Sequence, residues 1–97
     1  MIPYRIHPAA NAEFAIAVRY YQAQSPDAAA RFVEAVERAI SLIREFPEIG
    51  SPTDFSLRRA RVQRFPFAVV YEFDGQFIYI QAIADLRRRP DYWHGRM

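Results

Sequence analysis

Residues 67–84 read FAVVYEFDGQFIYIQAIA, two β-prone runs joined by Asp74-Gly75. An Asp-Gly pair between β-branched and aromatic residues is a strong hairpin signal, because a type I′ turn needs positive φ at both central positions. Centring the turn on that pair sets Phe73 opposite Gln76, Tyr71 opposite Ile78, Val69 opposite Ile80 and Phe67 opposite Ala82. One face then gathers Phe67, Val69, Tyr71, Phe73, Ile78, Ile80 and Ala82 as a core surface. The other gathers Ala68, Val70, Glu72, Phe77, Tyr79, Gln81 and Ile83. Arginines crowd both flanks, at Arg58, Arg59, Arg61 and Arg64 before the hairpin and Arg87, Arg88 and Arg89 after it.

Working outward, the 97 residues suit one domain spanning residues 1–97, and the 52% hydrophobic and 15% aromatic content suits a folded chain. No run approaches the roughly 18 apolar residues of a membrane span. The opening MIPYRIHP has no charged and apolar leader pattern, so a cytoplasmic protein without a membrane partner is expected. Absence of cysteine removes disulfides and thiolate metal sites and fits a reducing compartment. The net charge of +2 is uneven. Residues 1–57 hold five arginines against seven acids, and residues 58–97 hold eight against four. The C-terminal half therefore suits an anionic partner. All thirteen basic residues are arginine. No side-chain amine is available for Schiff-base or proton-transfer chemistry.

Upstream of the hairpin, Pro3 to Ile6 reads as a short strand, and His7-Pro8 starts a helix because proline is tolerated at its first position. Ala10, Phe14, Ala17, Val18 and Tyr21 form its apolar stripe to about Gln24. Ser25-Pro26-Asp27 supplies an N-cap, an N1 proline and an acid in the first turn of a second helix running to Glu45. Its buried stripe is Phe32, Val36, Ala39, Ile40 and Ile43, and Glu34 and Arg38 form an i,i+4 pair on the outside. Phe46-Pro47 ends it. Residues 48–56 read as an exposed loop and Leu57 to Val62 as a strand. The order β-α-α-β-β-β gives an α+β domain, an antiparallel sheet with an αα-hairpin packed on one face.

Candidate chemistry is sparse. Two histidines, His7 and His94, stand at opposite ends of the chain, too few for a metal site. The serines lack a triad pattern, and the three glycines form no phosphate-cradling loop. No cofactor or metal is indicated. The arginine groups remain, with Arg59 and Arg61 on one face of their strand and Arg58 on the other. They read either as a charged sheet edge that blocks strand pairing or as an anion site. In the second case Tyr79, Tyr92 and Trp93 are available to stack on bases. The expected register also sets Asp85 against Arg64 and brings Arg87, Arg88 and Arg89 near it.

The whole chain resembles the RelE/ParE family of toxins from type II toxin–antitoxin modules. The resemblance rests on the ordered series HPAA with Glu13, the YY ending helix one, AARF, FPEIG, LRR, RFPFAVVYEF and RRRPDYW. It implies a cognate antitoxin that covers the working face, hetero-oligomer formation with it, and growth inhibition when the toxin is free. Some members cleave mRNA on the ribosome and others poison DNA gyrase. In the mRNA-cleaving members the active residues are strand lysines, an arginine early in the next strand, and an arginine and a tyrosine in the tail. Here Arg59 and Arg61 occupy the lysine-like positions, Ala68 the early-strand position, Arg87 or Arg88 the tail arginine and Tyr92 the tyrosine. A histidine frequent after the last strand is Asp85.

Losing one donor to developing phosphate charge costs about 10²–10³ in rate. Arginine also does not exchange protons near neutrality. The leading expectation is therefore a toxin that binds a macromolecular target such as gyrase, with Arg58, Arg64, Arg87, Arg89 and Trp93 as anion- or target-binding residues. The alternative is a metal-independent mRNA endonuclease using Arg59, Arg61, Arg88 and Tyr92, with Arg64 as substitute for the missing charge. A degenerate, non-toxic member that keeps only antitoxin binding is the third reading.

Overall fold

Chain order and local signals produce β1 (Tyr4–Ile6), α1 (Pro8–Gln24), α2 (Pro26–Glu45), β2 (Ser51–Pro52), β3 (Arg58–Val62), β4 (Phe67–Phe73) and β5 (Ile78–Asp85). The computed structural model describes residues 1–88 together with Tyr92, Trp93 and Arg96. Both helices begin as their caps dictate. His7 Nδ1 accepts from the Ala9 N–H at 3.0 Å, and Ser25 Oγ accepts from the Ala28 N–H at 3.0 Å, each ahead of a proline. The i,i+4 ion pair that forms on α2 is Asp27–Arg31, 2.6 Å apart and exposed at both ends. Such pairs contribute only a few tenths of a kcal/mol.

The sheet order is β1-β5-β4-β3-β2. It is mixed, because β1 runs parallel to β5, with Tyr4 beside Ile78 and Ile6 beside Ile80. The αα-hairpin makes this possible by carrying the chain from β1 across one face before it returns through β2 at the opposite edge. β2 itself lies inside the expected loop. It pairs Ser51 with Arg59 and Pro52 with Arg58. Its turn places Phe55 and Ser56 at positive φ.

The hairpin of β4 and β5 forms, in a different register. Phe73 faces Ile78 and Tyr71 faces Ile80, two residues on from the expected partners; Val69 faces Ile83 and Phe67 faces Asp85, three residues on. Two devices cause this. At the turn, Asp74 is the closing residue, because its N–H donates to the Phe77 carbonyl and its Oδ1 accepts from the Gln76 and Phe77 N–H groups. Gly75 alone takes positive φ, the pattern of a II′ turn with glycine first. Farther along, a bulge places Gln81 as an extra residue between the Tyr71–Ile80 and Val70–Ala82 pairs. The bulge reverses the alternation, so Ile83 joins the helix-side core and Ala82 moves to the opposite face.

The main core lies between the helices and the sheet. Phe32, Ile43, Val62, Val69, Tyr71, Ile78 and Ile80 are fully buried there. Rings of Phe14, Tyr21, Phe65 and Phe67 pack around Phe32 with centroids 5.0–5.9 Å from it. Truncating such a phenylalanine costs about 3–5 kcal/mol. Tyr71 also closes the loop after α2. Its hydroxyl donates to the Pro47 carbonyl at 2.7 Å and accepts from the Gly50 N–H at 3.0 Å.

A second, smaller cluster forms on the open face of the sheet. Leu57, Val70, Ala82 and Ala84 are covered there by Trp93, with Tyr92 packed alongside. The sheet is thus covered on both faces, by two helices on one and by the returning tail on part of the other.

Candidate functional site

Three clefts collect five of the seven arginines that the sequence singles out, Arg59, Arg61, Arg64, Arg87 and Arg88. Alternation along β3 sends Ala60 and Val62 to the helix side and leaves Arg59 and Arg61 exposed. These two line a shallow cleft of about 500 Å³ with Ala39 and Leu42 of α2, Ile49 and Leu86. Arg87, Arg88 and Tyr92 line another, of about 350 Å³, between α1 and the start of the tail. Arg64 lies in neither. It takes positive φ in the β3–β4 turn and lines a third cleft with Arg31, Glu34 and Arg38 of α2.

The expected Asp85–Arg64 pairing does not occur, because the shifted register sets Asp85 against Phe67. Instead Asp85 accepts from Arg87, Nε at 2.9 Å and Nη2 at 3.0 Å. These bonds hold the Asp85 carboxyl below its ordinary range and raise Arg87 further. Arg58 is engaged elsewhere. Its Nη1 donates to the carbonyls of Glu48 at 3.1 Å and Gly50 at 2.8 Å, bracing the loop that Tyr71 closes. Arg88 stacks on the Tyr92 ring, 4.1 Å from guanidinium carbon to centroid. Arg89 and His94 lie outside the described residues.

One sequence expectation meets a correction in side-chain placement. Trp93 is 4% exposed, packed against Leu57, Val70, Ala82 and Ala84, so its ring is not a stacking platform for bases. Ala68 is buried, between Arg61 and Ala84 in the ladder.

The tail is held by a group that the sequence reading named but gave no role. Glu13 Oε1 and Oε2 accept from Arg96 Nη1 and Nη2 at 2.9 and 3.0 Å. Glu13 Oε1 also accepts from the Ile83 N–H at 3.1 Å, and Arg96 Nη1 donates to the Gln81 carbonyl at 3.0 Å. The Ile83 N–H and the Gln81 carbonyl, beyond the point where pairing with β1 ends at Ile80, are therefore bonded to one ion pair. Tyr92 sits beside it, with Arg96 5.3 Å from its ring centroid. Its hydroxyl is buried with no hydrogen bond among the described residues. Burial first, and then the neighbouring Glu13 carboxylate, push its ionisation up to about 12. A sequence signal for Glu13 existed. Three residues after Ala10 and four before Ala17, it is a carboxylate bordering the buried stripe of α1, where a charge needs a partner.

Among the described residues no group of three or more His, Cys, Asp or Glu side chains is arranged to hold a metal ion. Among the described residues no helix is long and apolar enough to cross a membrane. The chemistry on offer is anion binding by guanidinium groups beside apolar and aromatic surface.

Comparison with curated proteins finds no match. Among solved structures, the chain is similar to one described as the chromosomal ParDE TA system from P. aeruginosa. The TM-score is 0.78 at 19% identity, covering 89% of this chain and 97% of that one. At that identity the likeness establishes the fold. A family model described as the ParE toxin of the type II toxin–antitoxin system parDE matches residues 4–90. With the match running from β1 past the end of β5, the chain belongs to the ParE toxin family.

Proposed function

We propose that this toxin is held inactive by a cognate antitoxin and, when free, inhibits growth by binding a macromolecular target such as DNA gyrase without cleaving it. The observation that carries the non-catalytic reading is the chemistry of the four candidate nuclease residues, three arginines and one tyrosine with a buried hydroxyl. Arg59 and Arg61 line one cleft, and Arg88 and Tyr92 line another. Phosphodiester cleavage needs a base, an acid and charge stabilisation converging on one phosphate. Arginines supply only the last of these near neutral pH. The Tyr92 hydroxyl, buried and pushed to about 12, is a poor proton carrier at pH 7. Exposed arginines beside apolar surface suit binding of an acidic protein segment or a protein–DNA complex.

The test is induction with and without the antitoxin, reading gyrase-linked DNA breaks and mRNA 5′ ends in parallel. Breaks that the antitoxin suppresses support the proposal. New 5′ ends at ribosomal A-site codons without such breaks replace it with the endonuclease reading. Normal growth on induction without antitoxin identifies a non-toxic member.

A further inference from the structure

Two of the three clefts lie end to end. One is bounded on α2 by Arg31 and Arg38 and on the β3–β4 turn by Arg64. The other is bounded on α2 by Ala39 and Leu42 and on β3 by Arg59 and Arg61. From the first to the second, residue numbers rise along α2 and fall along β3, so the two clefts form one seam between these elements. At the helical rise per residue, Arg31 to Leu42 covers about 16 Å. Five exposed arginines line the seam with one carboxylate, Glu34, among the described residues. Arg31 is paired with Asp27. Arg38, Arg59, Arg61 and Arg64 take no hydrogen bond, ion pair or ring contact among the described residues. Arg44, Arg58, Arg87 and Arg96, by contrast, are each bonded to a carbonyl or a carboxylate. Protection of the sheet edge accounts for cations on β3. It does not account for Arg38 on a helix or Arg64 in a turn. Arg64 takes φ 73°, where glycine or asparagine sits at lower cost, so turn chemistry does not select an arginine there.

We propose that this seam binds the phosphate backbone of duplex DNA, with Arg38 and Arg64 at one end and Arg59 and Arg61 at the other. A guanidinium stays charged and its planar fork matches two phosphate oxygens. A duplex presents a phosphate every ~3.4 Å along each strand, so its regular line of charge meets a line of cations carried on a helix, a strand and a tight turn. Such backbone contacts position a protein without reading sequence. Single-stranded nucleic acid fits less well, because it is held largely by stacking its bases on open rings. Phe65 is the one aromatic among the described lining residues, and its ring packs edge-on against Tyr21 and Phe32. The inference goes beyond the target binding proposed above. It concerns the chain's own contact with DNA, whichever macromolecule the toxin inhibits.

The experiment measures binding of the purified full chain to a labelled duplex of about 20 base pairs by fluorescence anisotropy, from about 50 to 200 mM salt. Contact with about four phosphates gives a log–log salt slope of about −3 to −4. Two seam variants are compared with the parent, Arg38→Glu and the double substitution Arg38→Gln with Arg64→Asn. Asparagine tolerates the positive φ at that turn. The control is Arg19→Glu, the same charge change at an exposed arginine of α1 that lines neither cleft. Circular dichroism and melting establish that each variant is folded. Both seam variants are expected to weaken binding about tenfold or more and to reduce the slope by about one or two. Arg19→Glu is expected to stay within about threefold of the parent. No binding by the parent at the lowest salt, or an equal loss in Arg19→Glu, overturns the proposal. Tighter binding of a single-stranded RNA of the same length, or of a polyglutamate peptide, than of the duplex also overturns it.

Discussion

Glu13 and Arg96, 83 residues apart, form a bidentate pair at 2.9 and 3.0 Å that also bonds the Gln81 carbonyl and the Ile83 N–H. The two side chains are 14% and 18% exposed. One contact thus joins helix, sheet and tail. Arg96→Ala is expected to cost about 1–3 kcal/mol, because it leaves the largely buried Glu13 carboxylate without its counter-ion. Glu13→Ala is expected to speed hydrogen exchange at the Ile83 amide, which loses its acceptor. Unchanged protection at Ile83 would show that the bulge is held by other means.

Tyr71 and Gly50 set a second expectation. A Cβ added at Gly50 would stand 2.8 Å from the Tyr71 hydroxyl oxygen and 2.9 Å from its Cε1. Tyr71 is fully buried and cannot move aside. Gly50→Ala is therefore expected to destabilise by about 1–3 kcal/mol through overpacking. Tyr71→Phe is expected to cost about the same, ~1–3 kcal/mol, because the Gly50 N–H loses its acceptor inside the fold. Denaturant unfolding of both variants measures this.

Ala68→Arg places an arginine where mRNA-cleaving relatives are expected to carry one. The site is fully closed in this fold, so the variant is expected to lose about 3 kcal/mol or more of stability. It is not expected to gain cleavage. A stable Ala68→Arg protein that cuts mRNA in translating extracts would contradict both the burial argument and the non-catalytic reading.

The Asp85–Arg87 pair gives a pH dependence with a definite sign. Hydrogen bonds from Arg87 lower the Asp85 carboxyl below its ordinary 3.8 when folded. The unfolded chain then binds the proton first on acidification. The contribution of Asp85 is complete above 3.8 and is lost as pH falls through the lower folded value. Asp85→Asn is expected to flatten the stability curve below pH 3.8 and leave its shape at neutral pH unaltered. Equal acid slopes for parent and variant would exclude this.

Helix limits were legible because proline, serine and His7 mark both starts and Phe46-Pro47 marks the stop, all through local chemistry. The Asp-Gly hairpin was legible as a hairpin but not in register. The Asp74 side chain competes for the amide hydrogens of the turn and moves its centre by one residue. The bulge at Gln81 left no local signature, since its partners, Glu13 and Arg96, are brought to it only by the tertiary fold. Trp93 misled for a related reason. A tail that is polar in sequence folds back and buries its one tryptophan against Val70, Ala82 and Ala84. The arginine clusters were legible as charge. Their distribution among three clefts depends on the register, and sequence alone set it wrongly.

The most direct measurement is supercoiling by purified gyrase with the purified toxin, titrated with its antitoxin, alongside primer extension on mRNA in a translating extract. The expected result is loss of supercoiling that the antitoxin restores, with no new mRNA ends. Undisturbed supercoiling together with cleavage at A-site codons would contradict the account.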